Sequence, residues 1–230
     1  MEVIVLAGGL GTRLKKIVQD IPKPMAPING KPFLWYIFEY LWRQGVRRVI
    51  LSAGYKHEII EEYFEKNYKD ISIIYSIEDE PLGTGGAIKK AVLNVEEKDV
   101  IILNGDTFFN IDIRSFVEQH SKMQADFSLA LKPMKNFDRY GSVEVVGERI
   151  INFNEKKYKK YGYINGGIYI TNPCLFNDLD LPDKFSIEND FFPNQLQRLK
   201  FGSYISNTYF IDIGIPEDYE KAKRELGRHI

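Results

Sequence analysis

Over its first 110 or so residues the chain alternates short apolar runs with stretches of helical period, and this rhythm constrains its fold more than any other feature. VIVLA (Val3–Ala7), VRRVILSAG (Val46–Gly54), ISIIYS (Ile71–Ser76) and DVIILNGD (Asp99–Asp106) are the apolar runs. They are short, rich in β-branched residues and bounded by glycine or charge, as strands buried on both faces are. Between them, KPFLWYIFEYLWRQG sets Phe33, Leu34, Ile37, Phe38 and Leu41 at helical spacing and stops at Gly45. HEIIEEYFEKNY gathers Ile59, Ile60, Tyr63 and Phe64 on one side, and TGGAIKKAVLNV enters a helix through glycines. Strand–helix alternation of this kind predicts an α/β fold: a mostly parallel sheet covered by helices on both faces.

Beyond residue 110 or so the pattern changes. DFSLALKPM, YGSVEVVGERIINFNEK, YGYINGGIYITN and GSYISNTYFIDIG read as strands, with Gly147–Glu148 as a hairpin turn. SFVEQHSKM and SIENDFFPNQLQRL read as helices, the second capped by Ser186. PEDYEKAKREL is a terminal helix with Pro216 in its first turn. With no repeat, low-complexity tract or long linker, one domain over residues 1–230 is expected, in two lobes, about 1–110 and 111–230.

Composition narrows the function classes. Lys and Arg number 31 against 32 Asp and Glu, a net charge of -1. That balance argues against a dedicated nucleic-acid binder but leaves room for a local basic pocket. The single cysteine, Cys174, excludes a disulfide framework within the chain and fits a reducing compartment. The opening MEVIVLAGG reads as a strand rather than a signal peptide, and no run is long enough to span a membrane. A cytoplasmic protein is expected. His57, His120 and His229 lack zinc-ligand spacing.

Gly8, Gly9 and Gly11 follow the first strand. In open α/β sheets ligands bind at that end, and glycines let backbone N–H groups converge on an anion. Arg13 adds a fork of donors suited to phosphoryl oxygens, and Lys23 is held between two prolines. No Gly-Lys-Ser/Thr closes the run as in a P-loop, and Leu14 stands where a dinucleotide fingerprint needs its third glycine. The residues fit a phosphate cradle; a tight turn beside solvated lysines is the alternative. Asp106 and Asp212 each end an apolar strand. An acid there is costly to bury alone, and a pair of them suits Mg²⁺, which needs only one or two carboxylates beside water and phosphate. Capping of local turns is the alternative.

Gly83, Gly85 and Gly86 open a helix and would form a wall of small residues for a flat base. Asn154–Lys156, Asn165 and Tyr140–Gly141 place polar or small residues in strand-like surroundings. They suit a hydroxylated ligand or an internal hydrogen-bond network.

LAGGLGTRLKKIVQDIPKPMAPI closely resembles the N-terminal signature of the sugar-1-phosphate nucleotidylyltransferases, and PLGTGGA, LNGD, NEK, NGGIY and FIDIGIPEDY follow in that family's order. The resemblance spans nearly the whole chain. Within the family, PLGTGGAI, NGDTFF, DRYGSV and FIDIGIPEDY most resemble the D-glycero-D-manno-heptose 1-phosphate guanylyltransferases.

The resemblance implies a Rossmann-like, glycosyltransferase-A-like nucleotidyltransferase fold. The implied reaction joins a nucleoside triphosphate, GTP first among the candidates, to a sugar 1-phosphate and releases pyrophosphate. Mannose- or glucose-1-phosphate transferases using GTP, dTTP, CTP or UTP are the nearest alternatives, and a non-catalytic nucleotide-sugar-binding regulator is a further one. Neither nucleic acid nor membrane is implied as a partner, and a homo-oligomer is left open.

The implied roles follow the motifs. Gly8, Gly9, Gly11 and Thr12 wrap the triphosphate beside Leu6, Arg13 holds the leaving pyrophosphate, and Lys23 reaches the α-phosphate. Gly83 and Gly85 pack near the nucleoside. Asp106 and Asp212 hold Mg²⁺. Asn104, Gly105, Gly141, Glu155, Lys156, Asn165 and Gly166 bind the sugar phosphate. NEKK lacks the proline that often follows this lysine in the family. Glu80, before Pro81, is a carboxylate where thymidylyl enzymes commonly carry glutamine; it cannot donate to thymine, and it can accept from a guanine N–H. The hexapeptide extension of some relatives is missing, so no added acyltransferase activity is expected.

Overall fold

A computed structural model describes residues 1–9 and 20–230. Strands β1 (Glu2–Leu6), β2 (Arg48–Ala53), β3 (Ile71–Ile77) and β4 (Val100–Asn104) lie side by side in the order β4-β1-β2-β3, all parallel. Helices α1 (Phe33–Arg43), α2 (His57–Phe64) and α3 (Gly83–Ala91) connect them. The four apolar runs thus form the central parallel block, with their C-terminal ends on one edge.

Alternation along β1 explains why it is apolar from Val3 to Leu6. Val3 and Val5 enter one core with Phe33, Leu34, Phe38 and Phe116. Ile4 points to the other face and joins a second core with Ile50, Ile88, Ile102 and Phe192. A parallel strand covered on both sides has no face left for polar residues.

Besides the two-residue strands Pro27–Ile28, Lys31–Pro32 and Asn67–Tyr68, the remaining strands are β5 (Thr107–Phe109), β6 (Phe127–Phe137), β7 (Gly141–Val146), β8 (Arg149–Lys156), β9 (Lys159–Thr171), β10 (Phe201–Ile205) and β11 (Phe210–Asp212). They include the continuation of the sheet as β7-β8-β10-β6-β9, with β9 antiparallel to β4. Apart from the parallel pair β6–β10, the pairs in this part are antiparallel. The sheet is therefore mixed, with its parallel order concentrated in the first half. β9 changes register between Asn165 and Tyr169, where Gly167 takes φ +73°. A Cβ on Gly167 would lie 2.9 Å from Asn104 Nδ2, so glycine lets this bend approach the end of β4.

Helices α4 (Ile113–Met123) and α5 (Pro216–Glu225) complete the cover. The helix from Ser186 forms as a π turn over Ile187–Phe191 followed by Phe192–Gln195, and Ser186 caps it by accepting from Asn189 N. One expectation needs correction: α2 buries Ile60 and Phe64, whereas Tyr63 is 43% exposed. Residues 60 and 64 stack one turn apart toward the sheet, and Tyr63 falls outside that line. Trp42 packs against the first core and carries the Lys69 ammonium 3.8 Å from its ring centre. Among the described residues, no helix is long and apolar enough to cross a membrane.

Candidate active site

The small pair β5–β11 brings two distant acids together. Asp212 pairs with Thr107, and Ile213 N donates to Asp106 O at 3.1 Å. Lys23 arrives from a short turn, Lys23–Met25, between Pro22 and Pro24. Its Nζ lies 2.6 Å from Asp106 Oδ2 and 3.6 Å from Asp212 Oδ1. Burial, and next the charge of Asp106, push the Asp212 carboxyl above its usual range, while Lys23 and the Gly214 N–H draw it back. Gly214 N donates to Asp212 Oδ1 at 2.7 Å. A Cβ on Gly214 would sit 2.9 Å from that oxygen, which explains the glycine in FIDIG.

The donor set fits Mg²⁺. No group of three acidic, histidine or cysteine side chains suited to a metal occurs among the described residues. Mg²⁺ does not need one, because it keeps waters and substrate phosphates in its shell. Two carboxylates that repel each other, with one made reluctant to ionise, are a pair that a dication relieves.

Two cavities meet here. The first, about 420 Å³, is lined by Leu6, Gly8, Gly9, Lys23, Gly83 and Asp106, among others. It opens at the C-terminal ends of the parallel strands, where α/β folds bind ligands. The second, about 630 Å³, is lined by Tyr140, Gly141, Glu155, Lys156, Asn165 and Asp212, among others. Asn104 and Glu188 line both. A reacting group in one cavity therefore faces a group in the other across the Lys23–Asp106–Asp212 cluster.

Three expected contact residues turn elsewhere. A Cβ on Gly85 would overlap the Phe185 ring, and Gly85 N donates to Phe185 O at 2.9 Å. The wall that Gly85 forms is thus for Phe185. Gly105 N donates to Leu6 O at 2.8 Å, and a Cβ there would lie 2.6 Å from the same oxygen. Gly166 packs under the Phe109 ring. None of the three lines either cavity. Their lack of a side chain serves close packing. Gly11, Thr12 and Arg13 lie outside the described residues.

Asn165 lines the second cavity, yet both ends of its amide have internal partners. Nδ2 donates to Tyr169 Oη at 2.8 Å, and Oδ1 accepts from Gly167 N at 2.9 Å. The sequence also passed over Glu78 in favour of Glu80. Glu80 is exposed and borders only a neighbouring cavity. Glu78 lines the first cavity, with Oε1 accepting from Ser52 Oγ at 3.2 Å and Oε2 from Leu82 N at 3.1 Å. Its signal was available: an acid directly after the apolar run of β3, as at Asp106. Glu188 was hidden, because next to a helix cap a glutamate looks like ordinary first-turn acidity.

Comparison with known proteins agrees with this geometry. The nucleotidyl transferase family model matches residues 2–229. The chain is 56% identical over 230 residues to a D-glycero-alpha-D-manno-heptose 1-phosphate guanylyltransferase of Aneurinibacillus thermoaerophilus, covering 100% of both chains. It is 54% identical over 220 residues to the enzyme of the same name from Campylobacter jejuni, covering 95% of this chain and 97% of that one. The structure of HddC from Yersinia pseudotuberculosis complexed with GMP-PN superposes with a TM-score of 0.87 at 42% identity, covering 98% and 99% of the two chains. An end-to-end match to the family model, near-complete coverage of these relatives and a shared nucleotidyltransferase fold leave one conclusion: this chain belongs to the nucleotidyl transferase family.

Proposed function

We propose that the protein transfers the guanylyl group of GTP to D-glycero-α-D-manno-heptose 1-phosphate, giving GDP-heptose and pyrophosphate. The observation that carries this reading is the Lys23–Asp106–Asp212 cluster at the junction of two cavities. The names of the two full-length relatives supply the sugar and the nucleotide.

A sugar 1-phosphate is already an anionic nucleophile at neutral pH, so no side chain need activate it. The difficulty is bringing one anion to another, and alignment with charge neutralisation meets it. A sugar-phosphate oxygen attacks the α-phosphorus of GTP in line. The bond from that phosphorus to the bridging oxygen breaks, and pyrophosphate leaves with no covalent enzyme intermediate. Lys23 holds positive charge at the reacting phosphoryl group, and Lys156 balances the sugar phosphate. Gly8 and Gly9, with Gly11, Thr12 and Arg13, serve the triphosphate. Asp106 and Asp212 would hold Mg²⁺, which when bound supplies Lewis-acid stabilisation of the developing charge. Glu78, rather than Glu80, would accept from the guanine N1–H and N2–H of GTP, since it lines the first cavity.

We read residues 1–230 as one catalytic domain acting in the cytoplasm on small-molecule substrates, without nucleic acid or membrane; a homo-oligomer is compatible with this reading. The continuous sheet from β3 to β7 supports the single domain. A pyrophosphate-release matrix tests the function, with GTP, dTTP, CTP, UTP and ATP set against heptose, mannose and glucose 1-phosphates. GTP with the heptose phosphate should give the highest kcat/KM. A higher value for another pair would replace the substrates, and tight product binding without pyrophosphate release would make the protein a sensor.

A further inference from the structure

Glu188 is a carboxylate on the wall between the two cavities. Its Oε2 is occupied on the nucleotide side, accepting from Thr84 Oγ1 at 2.8 Å and Ser186 Oγ at 3.2 Å. Thr84 Oγ1 in turn accepts from Ile187 N at 2.9 Å, so the helix from Ser186 is stitched to the start of α3. Oε1 faces differently. Its hydrogen-bond partner is the Tyr169 hydroxyl, at a long 3.4 Å. That hydroxyl is fully buried and accepts from Asn165 Nδ2. The series Asn165–Tyr169–Glu188 thus ends on an oxygen with acceptor capacity to spare; Glu188 lines both cavities, and Asn165, at the other end, lines the second.

Two observations and one electrostatic argument bear on what that oxygen meets. Among the described residues, Glu188 has no lysine or arginine partner in its hydrogen bonds and ion pairs; every donor to it there is a hydroxyl. A carboxylate on this wall would repel a phosphoryl group, so it faces a neutral donor. Asn165 commits one N–H to Tyr169 and one oxygen lone pair to Gly167 N, so its amide is oriented by the protein.

We infer that Glu188 is a specificity-determining residue for the acceptor: Oε1 accepts a hydrogen bond from one hydroxyl of the sugar 1-phosphate, and Asn165 is a positioning residue that acts through Tyr169. The inference rests on the sugar 1-phosphate reading of the second cavity. A half-buried acceptor built for a hydroxyl penalises a sugar that lacks it, because the carboxylate is then left short of a partner.

The test uses the full chain, GTP, Mg²⁺ and the heptose 1-phosphate together with its singly deoxygenated analogues. Wild-type turnover of the parent sugar phosphate checks the underlying reading on its own. Glu188→Gln and Glu188→Asp are then compared with wild type. The KM for the sugar phosphate should rise about 10- to 100-fold in Glu188→Gln, the span expected for a charge-assisted hydrogen bond, while the KM for GTP stays within about two-fold. One deoxy analogue should be penalised by a similar factor in wild type and by no more than about two-fold in Glu188→Gln. Tyr169→Phe should raise the sugar KM less and leave the GTP KM unchanged. An equal rise in both KM values, or a full deoxy penalty that persists for every analogue in both Glu188 variants, overturns the assignment while leaving the transferase reading intact.

Discussion

Lys23 Nζ and Asp106 Oδ2 lie 2.6 Å apart although 83 residues separate them. Two conformational restraints bring them together: prolines on either side of Lys23, and the turn that leads from β4 into β5. An ammonium lodged against a carboxylate that would also hold a metal gives the site a cation before any substrate arrives.

Replacing Lys23 with alanine should therefore affect turnover more than folding. The kcat for guanylyl transfer falls about 100- to 1,000-fold, as when one preorganised charge-stabilising group is removed. Asp106 is partly exposed and can take up water, so melting with Mg²⁺ present shifts by only about 3 °C or less. Steady-state kinetics and calorimetry on the same preparation check both halves.

Glu78 and Glu80 should separate cleanly. Glu78→Gln raises the KM for GTP about 10- to 100-fold, the loss of a charge-assisted pair of acceptors. Glu80→Gln changes it less than about two-fold, because Glu80 does not border the first cavity. Initial rates across a GTP titration decide between them.

The glycines divide into packing and binding positions. Gly85→Ala drives a methyl into the Phe185 ring and should lower the melting temperature by about 2–10 °C, from an overpacking cost of roughly 1–3 kcal/mol. A Cβ at Gly9 meets nothing within 4 Å among the described residues, so for Gly9→Ala the melting point should hold and the defect should appear in the KM for GTP. Differential scanning calorimetry of the two variants tests the division.

His120 gives a pH signature unrelated to catalysis. It is 5% exposed, and Nδ1 lies 2.7 Å from Ser128 Oγ. Burial holds its pKa below the ordinary histidine value, although Asp99 and Asp126 oppose this and Lys98 assists. The folded state thus prefers neutral imidazole. The stability it contributes is present above the unfolded pKa of about 6.5 and is lost as the pH falls from there toward the depressed folded value. Wild-type unfolding free energy should decline more steeply than that of His120→Asn between pH 7.5 and pH 5.5, measured by urea denaturation.

The parallel block was legible because a strand covered on both faces is apolar through its middle, as Val3–Leu6, Val49–Leu51 and Val100–Leu103 are in β1, β2 and β4. The site was legible where its residues break that rule, as Asp106 and Asp212 do. Asn165 was read as a ligand contact because a polar residue in an apolar strand needs partners. Sequence alone cannot tell a sugar from Tyr169 and the backbone of a bend at Gly167, which are the partners found. Gly85 and Gly166 show the same ambiguity, since glycine is required equally by a ligand and by an aromatic ring. Glu188 was not legible at all. Its position depends on a helix folding back onto the start of α3, a contact between distant segments that leaves no local pattern.

Pyrophosphate release from GTP and the heptose 1-phosphate, followed as Mg²⁺ is titrated into wild type, Asp106→Asn and Asp212→Asn, bears most directly on the role of the Lys23–Asp106–Asp212 cluster. Wild type should rise from background to saturation with Mg²⁺, while both variants stay at least about 100-fold lower at the wild-type saturating concentration. Full wild-type rates and an unchanged Mg²⁺ midpoint in both variants would contradict it.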